Sequence, residues 1–379
     1  MLTDHIPKSV PAQRIRVLVV DDSVVMRKIL TEALREVPEI EVVGTASNGL
    51  IALQRIPQLS PDVVTLDIEM PELDGIATLR EIKRLYPRLR VLMCSSLTER
   101  GASITMEALS LGADDYLTKV NHQGADNSLG GFHNQLVPKI RQFFREGRGL
   151  PTDGSASERR TANQLSPVEA APARLGLTPA RPVPAPRVSH PRPRAVAIGV
   201  STGGPNALAT VVPALPRQFP LPVFIVQHMP PMFTRLLAER LQSQSQVKVV
   251  EAQAGMAVTP GTVYIAPGDY HMVVARRGTG VEIQVNQDPM ENSCRPAVDV
   301  LFRSIAAVYG GATVSAILTG MGQDGLRGVE QLRKLGGYVI AQDEASSVVW
   351  GMPGFVARAG LADSICDLKS VAPEIIRNL

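Results

Sequence analysis

The amino-acid sequence predicts two α/β domains, each built on a parallel β-sheet. In both halves of the 379-residue chain, short β-rich apolar runs alternate with amphipathic helical stretches. A segment rich in proline and arginine separates the halves, and polar residues directly follow several of the strand-like runs. Because ligands of such sheets bind at the carboxyl ends of the strands, we expect these polar residues to form the functional sites.

The first half contains five strand-like runs with helical stretches between them. The runs are Arg16–Val20, Glu41–Ala46, Val63–Leu66, Arg90–Cys94 and Tyr116–Leu117, and the helical stretches include Val24–Arg35, Ile76–Leu85 and Ser103–Leu111. Five βα units in about 130 residues predict a five-stranded, doubly wound parallel sheet over residues 14–146.

Residues 147–193 differ from both halves in composition. They hold nine prolines and no aromatic residue, so this segment cannot bury enough apolar surface to fold. Residues 147–194 carry a net charge of +5, whereas the whole chain carries +3, so the flanking parts together are slightly acidic. Neither flanking part therefore resembles a nucleic-acid binder. We interpret 147–193 as a flexible linker and consider contact of its arginines with an acidic partner the less favoured alternative.

The overall composition excludes several classes of protein. Hydrophobic residues make up 44% of the chain and charged residues 20%, which is typical of a folded protein. No apolar run approaches the roughly 18 residues that span a bilayer, and the N-terminus lacks the apolar core of a secretory signal. We therefore expect a cytoplasmic protein without membrane insertion. Cys94, Cys294 and Cys366 lie far apart without CxxC spacing, so they predict neither a disulfide framework nor a zinc site.

Polar residues end or follow most strand-like runs of the first half. Asp21 and Asp22 close the first run, Asp67 the third and Ser95 the fourth, and Lys119 follows the fifth. Clustered carboxylates repel one another unless they bind a hard divalent cation, and oxygen ligands suit Mg²⁺. With Mg²⁺ and a nearby lysine, one carboxylate could attack a phosphoryl group. A single aspartate at such a position is more often a helix cap, but the set as a whole favours the phosphoryl-transfer interpretation.

The second half repeats the alternation of strands and helices. Its strand candidates are Ala195–Val200, Val223–Gln227, Thr262–Ala266 and Val314–Leu318, and its helical stretches are Asn206–Leu215, Phe233–Ser243, Val298–Val308 and Gly325–Leu335. This pattern predicts a second α/β domain over residues 194–379.

Ser201 ends the first strand candidate of this second domain. Glycines follow it and permit a tight turn, and Pro205 suits the first turn of a helix. A serine there would lie at a helix N-terminus, where backbone N–H groups favour a developing oxyanion. Residues 199–203 also match the G-x-S-x-G pattern of a nucleophile. A simple helix cap and a phosphate-binding loop are the alternatives, although both phosphate-loop glycine patterns are absent.

A nucleophilic serine needs a base and an orienting carboxylate. Of the six histidines, His228 ends a strand candidate expected to run parallel to that of Ser201, so we favour it over His271. Asp324 follows the strand candidate Val314–Leu318 in a second glycine-rich turn and is the preferred carboxylate. Asp269 and Asp299 remain alternatives.

The first half, over residues 14–146, resembles the receiver domain of two-component response regulators, which has a flavodoxin-like fold. The resemblance implies that Asp67 accepts phosphate, and that Asp21, Asp22 and the backbone carbonyl of Glu69 join Asp67 in holding Mg²⁺. It also implies a switch hydroxyl at Ser95, a switching aromatic at Tyr116 and a phosphate-pairing lysine at Lys119. Val120 departs from the family, which usually has a proline after that lysine.

The second half closely resembles the catalytic domain of the CheB family, which comprises chemotaxis protein-glutamate methylesterases of α/β, Rossmann-like fold. The matching motifs are the Ser201 loop and residues 227–230, 264–269, 295–302, 320–325 and 350–353. The order serine, histidine, aspartate differs from that of an α/β-hydrolase, so the serine turn belongs to another fold. The resemblance covers nearly the whole chain outside the linker.

This resemblance implies hydrolysis of glutamate γ-methyl esters on the cytoplasmic helices of methyl-accepting chemoreceptors, and deamidation of particular glutamines. Ser201 would be the nucleophile, His228 the base and Asp324 its orienting carboxylate, with backbone N–H groups near Thr202 and Met321 as the oxyanion hole. Hydrolysis would need no metal, and Mg²⁺ would serve only phosphorylation, with a chemotaxis histidine kinase as phosphodonor. We expect a monomer that binds no nucleic acid and is restrained by its unphosphorylated receiver.

Three rival functions make different predictions. A DNA-binding response regulator predicts a smaller, basic effector domain, whereas this one spans about 185 residues and is not basic. A catalytically idle adaptor that binds receptor helices gives no reason for Ser201, His228 and Asp324 to stand in their motifs. The third rival is a methylesterase whose pathway controls something other than motility. The sequence barely distinguishes it from a methylesterase that acts in chemotaxis.

Overall fold

The computed structural model describes residues 14–96, 98–119, 129–144 and 190–379. Within these ranges it confirms the predicted fold class, because two α/β domains each contain a parallel sheet. Residues 147–189 of the predicted linker, and also Val120, lie outside the described residues. The domain boundaries at 146 and 194 stay predictions.

The N-terminal domain is a five-stranded parallel sheet with the order β2-β1-β3-β4-β5. Its strands are β1 (Ile15–Val20), β2 (Ile40–Ala46), β3 (Val63–Asp67), β4 (Arg90–Ser96) and β5 (Asp115–Lys119), and its helices are α1 (Val24–Arg35), α2 (Gly49–Leu59), α3 (Gly75–Leu85), α4 (Glu99–Ser110) and α5 (Leu129–Gln142). Strands β1 and β3 are buried almost throughout, as expected of strands covered by helices on both faces.

The C-terminal domain is a seven-stranded parallel sheet with the order β14-β13-β12-β6-β7-β9-β8, plus a separate hairpin of β10 and β11. Its strands are β6 (Ala195–Val200), β7 (Val223–Gln227), β8 (Lys248–Glu251), β9 (Thr262–Ile265), β10 (His271–Arg277), β11 (Gly280–Asn286), β12 (Thr313–Ile317), β13 (Tyr338–Gln342) and β14 (Ser364–Cys366). Its helices are α6 (Gly204–Val211), α7 (Phe233–Gln244), α8 (Val298–Tyr309), α9 (Leu326–Lys334), α10 (Met352–Arg358) and α11 (Leu368–Arg377).

Strands β12, β6 and β7 are neighbours at the centre of this sheet. Their register pairs Ile317 with Gly199 and Val200 with Gln227, so all three strands end at the same level. The residues that follow them therefore meet at one edge of the sheet, which is the carboxyl edge predicted to hold the site.

The two domains pack against each other through α4 and α7. Buried apolar residues of both domains belong to one continuous cluster. The ring of Tyr116 in β5 stacks on the ring of Phe233 in α7, and Glu99 pairs with Arg235 at 2.6 Å near the exposed edge of this contact. None of the described helices combines the length and apolar character that crossing a membrane would require.

Candidate active site and phosphorylation site

Acidic side chains and one lysine meet at the carboxyl edge of the N-terminal sheet. Asp21 directly follows β1, Asp67 ends β3 and Lys119 ends β5. The Lys119 ammonium lies 2.8 Å from Asp21 Oδ2 and 2.7 Å from Asp67 Oδ1. Both carboxylates are buried, so this cation offsets part of the cost of burying their charge.

The same edge has the ligands that Mg²⁺ prefers. One carboxylate oxygen from each of Asp21, Asp22 and Asp67 lies within 4.8 Å of the others, and such hard oxygen donors fit Mg²⁺. Burial raises the pKa of Asp67 to about 6; Lys119 opposes this rise and Asp21 adds to it. A cavity of about 300 Å³ opens beside this cluster, and its lining includes Asp22, Asp67 and Glu69.

The predicted switch residues are turned away from this cavity. Ser95 is buried, and its hydroxyl accepts a hydrogen bond from the Thr105 hydroxyl at 2.6 Å and lies 3.1 Å from the Gly101 carbonyl, both in α4. Ser96, rather than Ser95, lines the cavity beside Asp67. Tyr116 is buried between the domains against Phe233. Ser95 thus faces α4 of its own domain, and Tyr116 faces α7 of the C-terminal domain.

Ser201 lies in a tight turn between β6 and α6. Its N–H donates to the Thr319 carbonyl at 3.0 Å, and its carbonyl accepts from Gly204 N and from the Gln227 side chain. Gly203 has φ +76°, a left-handed conformation that favours glycine and completes the turn. Among the described residues, no hydrogen bond is found to the Ser201 hydroxyl, which leaves it free to meet a substrate.

His228 follows β7 and forms a close pair with Asp324, which lies between β12 and α9. His228 Nε2 is 2.8 Å from Asp324 Oδ2, and the His228 backbone N–H donates to the Val200 carbonyl next to Ser201. Three neighbouring strands thus bring the three predicted residues to one edge of the sheet.

Asp324 is held by donors on every side. Its Oδ2 accepts from the Val298 N–H at 2.6 Å, and its Oδ1 accepts from the Asp299 N–H and the Asn292 side chain. Burial alone would raise the pKa of Asp324, but the hydrogen bond and charge of His228, together with these backbone donors, lower it below its ordinary value. The carboxylate is therefore fixed and ionised.

The contact with Asp324 also changes the pKa of His228. Burial opposes the charged imidazolium, but the hydrogen bond to Asp324 and the nearby Cys294 outweigh it and raise the pKa of His228. The imidazolium is the form that a base acquires after it takes a proton. The site therefore stabilises the charge that His228 would gain in catalysis.

The alternative residues have other partners. His271 is fully buried, with Nε2 3.1 Å from the Pro289 carbonyl and Nδ1 accepting from the Ala297 N–H, so both ring nitrogens contact backbone. Asp269 pairs with Arg295 at 2.6 Å. Asp299 accepts from the Gly328 N–H at 2.7 Å and from Asn292, which leaves it beside Asp324 rather than on the histidine.

The residues predicted to form the oxyanion hole lie in the turns beside Ser201. Thr202 is buried, and its hydroxyl lies 3.3 Å from Asp115 Oδ2 and 3.2 Å from Gln142 Oε1, both in the N-terminal domain. Met321 is half-buried and follows Gly320, whose Cα is so close to Ser201 that an added Cβ would lie 2.8 Å from the Ser201 Cβ.

Comparison with known proteins identifies the family of each domain. The profile of the CheB methylesterase family matches residues 196–375, and that of the response regulator receiver domain matches residues 17–125. A relative from Trichodesmium erythraeum, named protein-glutamate methylesterase/protein-glutamine glutaminase, is 47% identical over 97% of this chain and 99% of its own length. The chain belongs to the CheB methylesterase family.

Other members of the CheB family are similarly close. The identically named relative from Azospirillum brasilense is 44% identical over 95% of this chain and 92% of its own length. Among solved structures, the Thermotoga maritima CheB methylesterase catalytic domain is 42% identical, with a TM-score of 0.49, and covers 49% of this chain and 99% of its own. The response regulator domain of Thermotoga maritima CheB is 47% identical, with a TM-score of 0.32, and covers 34% of this chain and 96% of its own.

Two residues of this site in the CheB chain were missed by the sequence analysis. Asn292 bridges Asp324 and Asp299, and Cys294 lies beside the His228–Asp324 pair. Both precede the motif at 295–302 in a loop without hydrophobic periodicity, so only their position next to a recognised motif could have indicated them.

Proposed function

We propose that the chain is a phosphorylation-regulated protein-glutamate methylesterase whose nucleophile is Ser201. The observation that carries this proposal is the His228–Asp324 hydrogen bond of 2.8 Å, formed at the strand ends that flank the Ser201 turn. A fixed carboxylate, an imidazole and a serine whose hydroxyl has no hydrogen-bond partner among the described residues are the components of a nucleophilic hydrolase.

The reaction follows from the orientation of the imidazole. Because Nε2 faces Asp324, Nδ1 is the nitrogen that takes the proton when Ser201 attacks the side-chain carbonyl. His228 then returns the proton to the departing methanol, or to ammonia when the substrate is a glutamine amide. Water, activated by His228, hydrolyses the acyl-enzyme to glutamate. Asp324 orients the ring and stabilises its cation throughout.

Backbone N–H groups of the two turns beside the nucleophile stabilise the tetrahedral intermediate in this mechanism. Those of Thr202 and Met321 are the candidates, and each oxyanion-hole donor contributes about 10²–10³ in rate in other hydrolases. Their turns are joined by the hydrogen bond from the Thr319 hydroxyl to the Thr202 carbonyl at 2.9 Å, which supports a fixed relative position.

The proposed substrates are γ-methyl esters of glutamate, and glutamine amides, on cytoplasmic helices of methyl-accepting chemoreceptors. The names of the relatives support the ester and amide chemistry, and the family's place in chemotaxis supports the receptor. A groove of about 470 Å³ runs beside His228 between Met229, Met290 and Arg295. Its apolar and cationic lining suits a glutamate-bearing helix.

The proposal also includes the remaining expectations from the sequence. These are that the protein is cytoplasmic, that it is a monomer and that it binds no nucleic acid.

Regulation by the receiver is the second part of the proposal. The Thr202 hydroxyl, next to the nucleophile, contacts Asp115 and Gln142 of the receiver, so this docked state occupies the approach to Ser201. A histidine kinase of the chemotaxis pathway would phosphorylate Asp67, with Lys119 pairing the phosphoryl oxygens. Bound Mg²⁺, held by Asp21, Asp22, Asp67 and the Glu69 carbonyl, would neutralise charge during transfer. Reorientation of Ser95 and Tyr116 would then loosen the Tyr116–Phe233 contact.

Methanol release from a methylated receptor cytoplasmic fragment tests both parts. It would be measured with and without a small phosphodonor and Mg²⁺, for wild type, Ser201→Ala and Asp67→Ala. We expect Ser201→Ala to abolish release and the donor to stimulate release only when Asp67 is present. Folded, phosphorylated wild-type protein that releases no methanol from a competent substrate would instead support the adaptor function.

A further inference from the structure

Cys294 lies next to the His228–Asp324 pair, although the spacing of the cysteines predicted no metal site. The Cys294 sulfur, a ring nitrogen of His228 and a carboxylate oxygen of Asp324 all lie within 4.8 Å of one another. We call these three residues the His–Cys–Asp cluster. Each belongs to a different loop at the carboxyl edge of the sheet, so the fold, and not local sequence spacing, brings them together.

The donor set of this cluster is that of a zinc site. Zn²⁺ binds thiolate sulfur, imidazole nitrogen and carboxylate oxygen at about 2.0–2.3 Å, which brings tetrahedral ligand atoms to about 3.3–3.8 Å from one another. Ligand atoms within 4.8 Å reach that spacing by small side-chain movements. The acidic cluster of the receiver contains only carboxylates, so it suits Mg²⁺ instead.

The protein holds two of these ligands before any ion arrives. Asp324 accepts from the Val298 and Asp299 N–H groups, and surrounding hydrogen bonds of this kind orient a metal ligand. The Cys294 backbone forms a two-way bridge with Glu291, whose carboxylate is held by both terminal nitrogens of Arg303. The loop that presents the sulfur is therefore anchored.

An ion has a route to the cluster through the groove beside His228. His228 and Cys294 both line this groove of about 470 Å³, and its other side chains include the exposed Met290 and Ser293. None of the described residues of the N-terminal domain lines this groove, so they leave the route open in the docked state.

We propose that the His–Cys–Asp cluster is an inhibitory site for Zn²⁺ or a similar thiolate-binding divalent ion. Binding releases two protons to solvent, one from the Cys294 thiol and one from the coordinating nitrogen of His228, and water completes the coordination. Because His228 is then bound to the ion, it no longer exchanges a proton with Ser201, and hydrolysis stops until the ion leaves. The inhibition rests on the proposed function, whereas the binding does not.

Cobalt absorption tests the binding without any enzyme assay. The full chain, with Mg²⁺ present to occupy the receiver, is titrated with Co²⁺, and the thiolate-to-cobalt charge-transfer band in the near ultraviolet is recorded. We expect a band at one equivalent that Zn²⁺ removes, that disappears in Cys294→Ser and that persists in Cys366→Ser, the control at a half-buried thiol in β14. No band in wild type, or a band kept by Cys294→Ser, would overturn the proposal; circular dichroism establishes that each variant is folded.

Inhibition of methanol release by Zn²⁺ tests whether an ion bound at the His–Cys–Asp cluster stops hydrolysis. Each protein is compared with its own rate in chelator, and we expect Cys294→Ser to raise the Zn²⁺ concentration for half-inhibition by about 10- to 100-fold, with Cys366→Ser like wild type. Equal inhibition of Cys294→Ser and wild type would contradict an inhibitory role for the cluster. A cobalt band from a chain that releases no methanol would leave the metal site standing and count against the esterase alone.

Discussion

Tyr116 of the receiver stacks on Phe233 of the catalytic domain with ring centroids 4.8 Å apart and planes only 6° from parallel. Tyr116 belongs to β5, the strand that also supplies Lys119 to the proposed phosphorylation site, and Phe233 begins α7. The stack therefore links the strand that ends at Lys119 to a helix that follows the His228 strand. In the proposed regulation it is one of the contacts through which a change at Asp67 would reach His228, alongside that of Thr202 with Asp115.

The first prediction concerns this stack. Tyr116→Ala should raise methanol release without phosphodonor by about 2- to 10-fold, because an aromatic pair contributes about 0.5–1.5 kcal/mol to the docked state. The measurement is the basal rate on a methylated receptor fragment. Glu99→Gln is the control at the same interface, since its pair with Arg235 is exposed and such pairs contribute about 0–1 kcal/mol. A basal rate of Tyr116→Ala no higher than that of Glu99→Gln would show that the stack does not hold the docked state.

The fold was predictable because helix and strand periodicities are strong in both domains. Runs such as Ala195–Val200 are buried at every residue, which is how a central parallel strand appears in sequence. Strand β14 has only three residues, none of them fully buried, and the β10–β11 hairpin lies outside the main sheets. The three residues of β14 carry little periodic signal, whereas Val281, Ile283 and Val285 of β11 alternate with polar residues. Neither element was identified from the sequence.

In the candidate site, only the residues that follow predicted strands could be identified from the sequence. Ser201, His228 and Asp324 directly follow strands or their turns, so the sheet topology alone brings them together. Asn292 and Cys294 reach the site from a loop whose path no pattern specifies. The orientation of Ser95 toward Thr105 depends on how α4 packs against the sheet, which the residue pattern does not encode.

The second prediction tests the close approach of Gly320 to Ser201. In Gly320→Ala the new Cβ would lie 2.8 Å from the Ser201 Cβ and 2.5 Å from the Met352 sulfur, so the Ser201 turn or the turn at Gly320 must shift. A displacement approaching 1 Å costs about 10²-fold in rate, so we expect a fall in kcat of that order. Gly280→Ala, where the nearest atom would be 3.7 Å away, is the control and should retain its rate. Near-wild-type kcat for Gly320→Ala would mean that Ser201 is not the nucleophile or that its position is not critical.

The third prediction concerns Asn292, which donates to Asp324 at 2.8 Å and to Asp299 at 3.0 Å. Asn292→Ala removes a donor from two carboxylates, whereas Asn292→Asp adds a third negative charge beside them. We therefore expect Asn292→Asp to lose more activity than Asn292→Ala. We also expect the unfolding free energy of Asn292→Asp to be lower than that of Asn292→Ala by about 1–3 kcal/mol. Kinetics and thermal unfolding of both variants measure this, and equal losses would argue that Asn292 contributes only bulk.

The last prediction is the pH dependence of hydrolysis, measured with chelator present. His228 must be neutral to accept the Ser201 proton, and Asp324 raises the pKa of His228 above its ordinary value. The value of kcat/KM should therefore rise with pH and level off only at alkaline pH. In Asp324→Asn the negative partner is gone, so the midpoint should move to lower pH while the plateau falls steeply, because the ring loses its orientation. Asp269→Asn, which removes a carboxylate paired with Arg295 instead, should leave the midpoint where it is in wild type. A midpoint that stays unchanged in Asp324→Asn would mean that the His228–Asp324 hydrogen bond does not control the base.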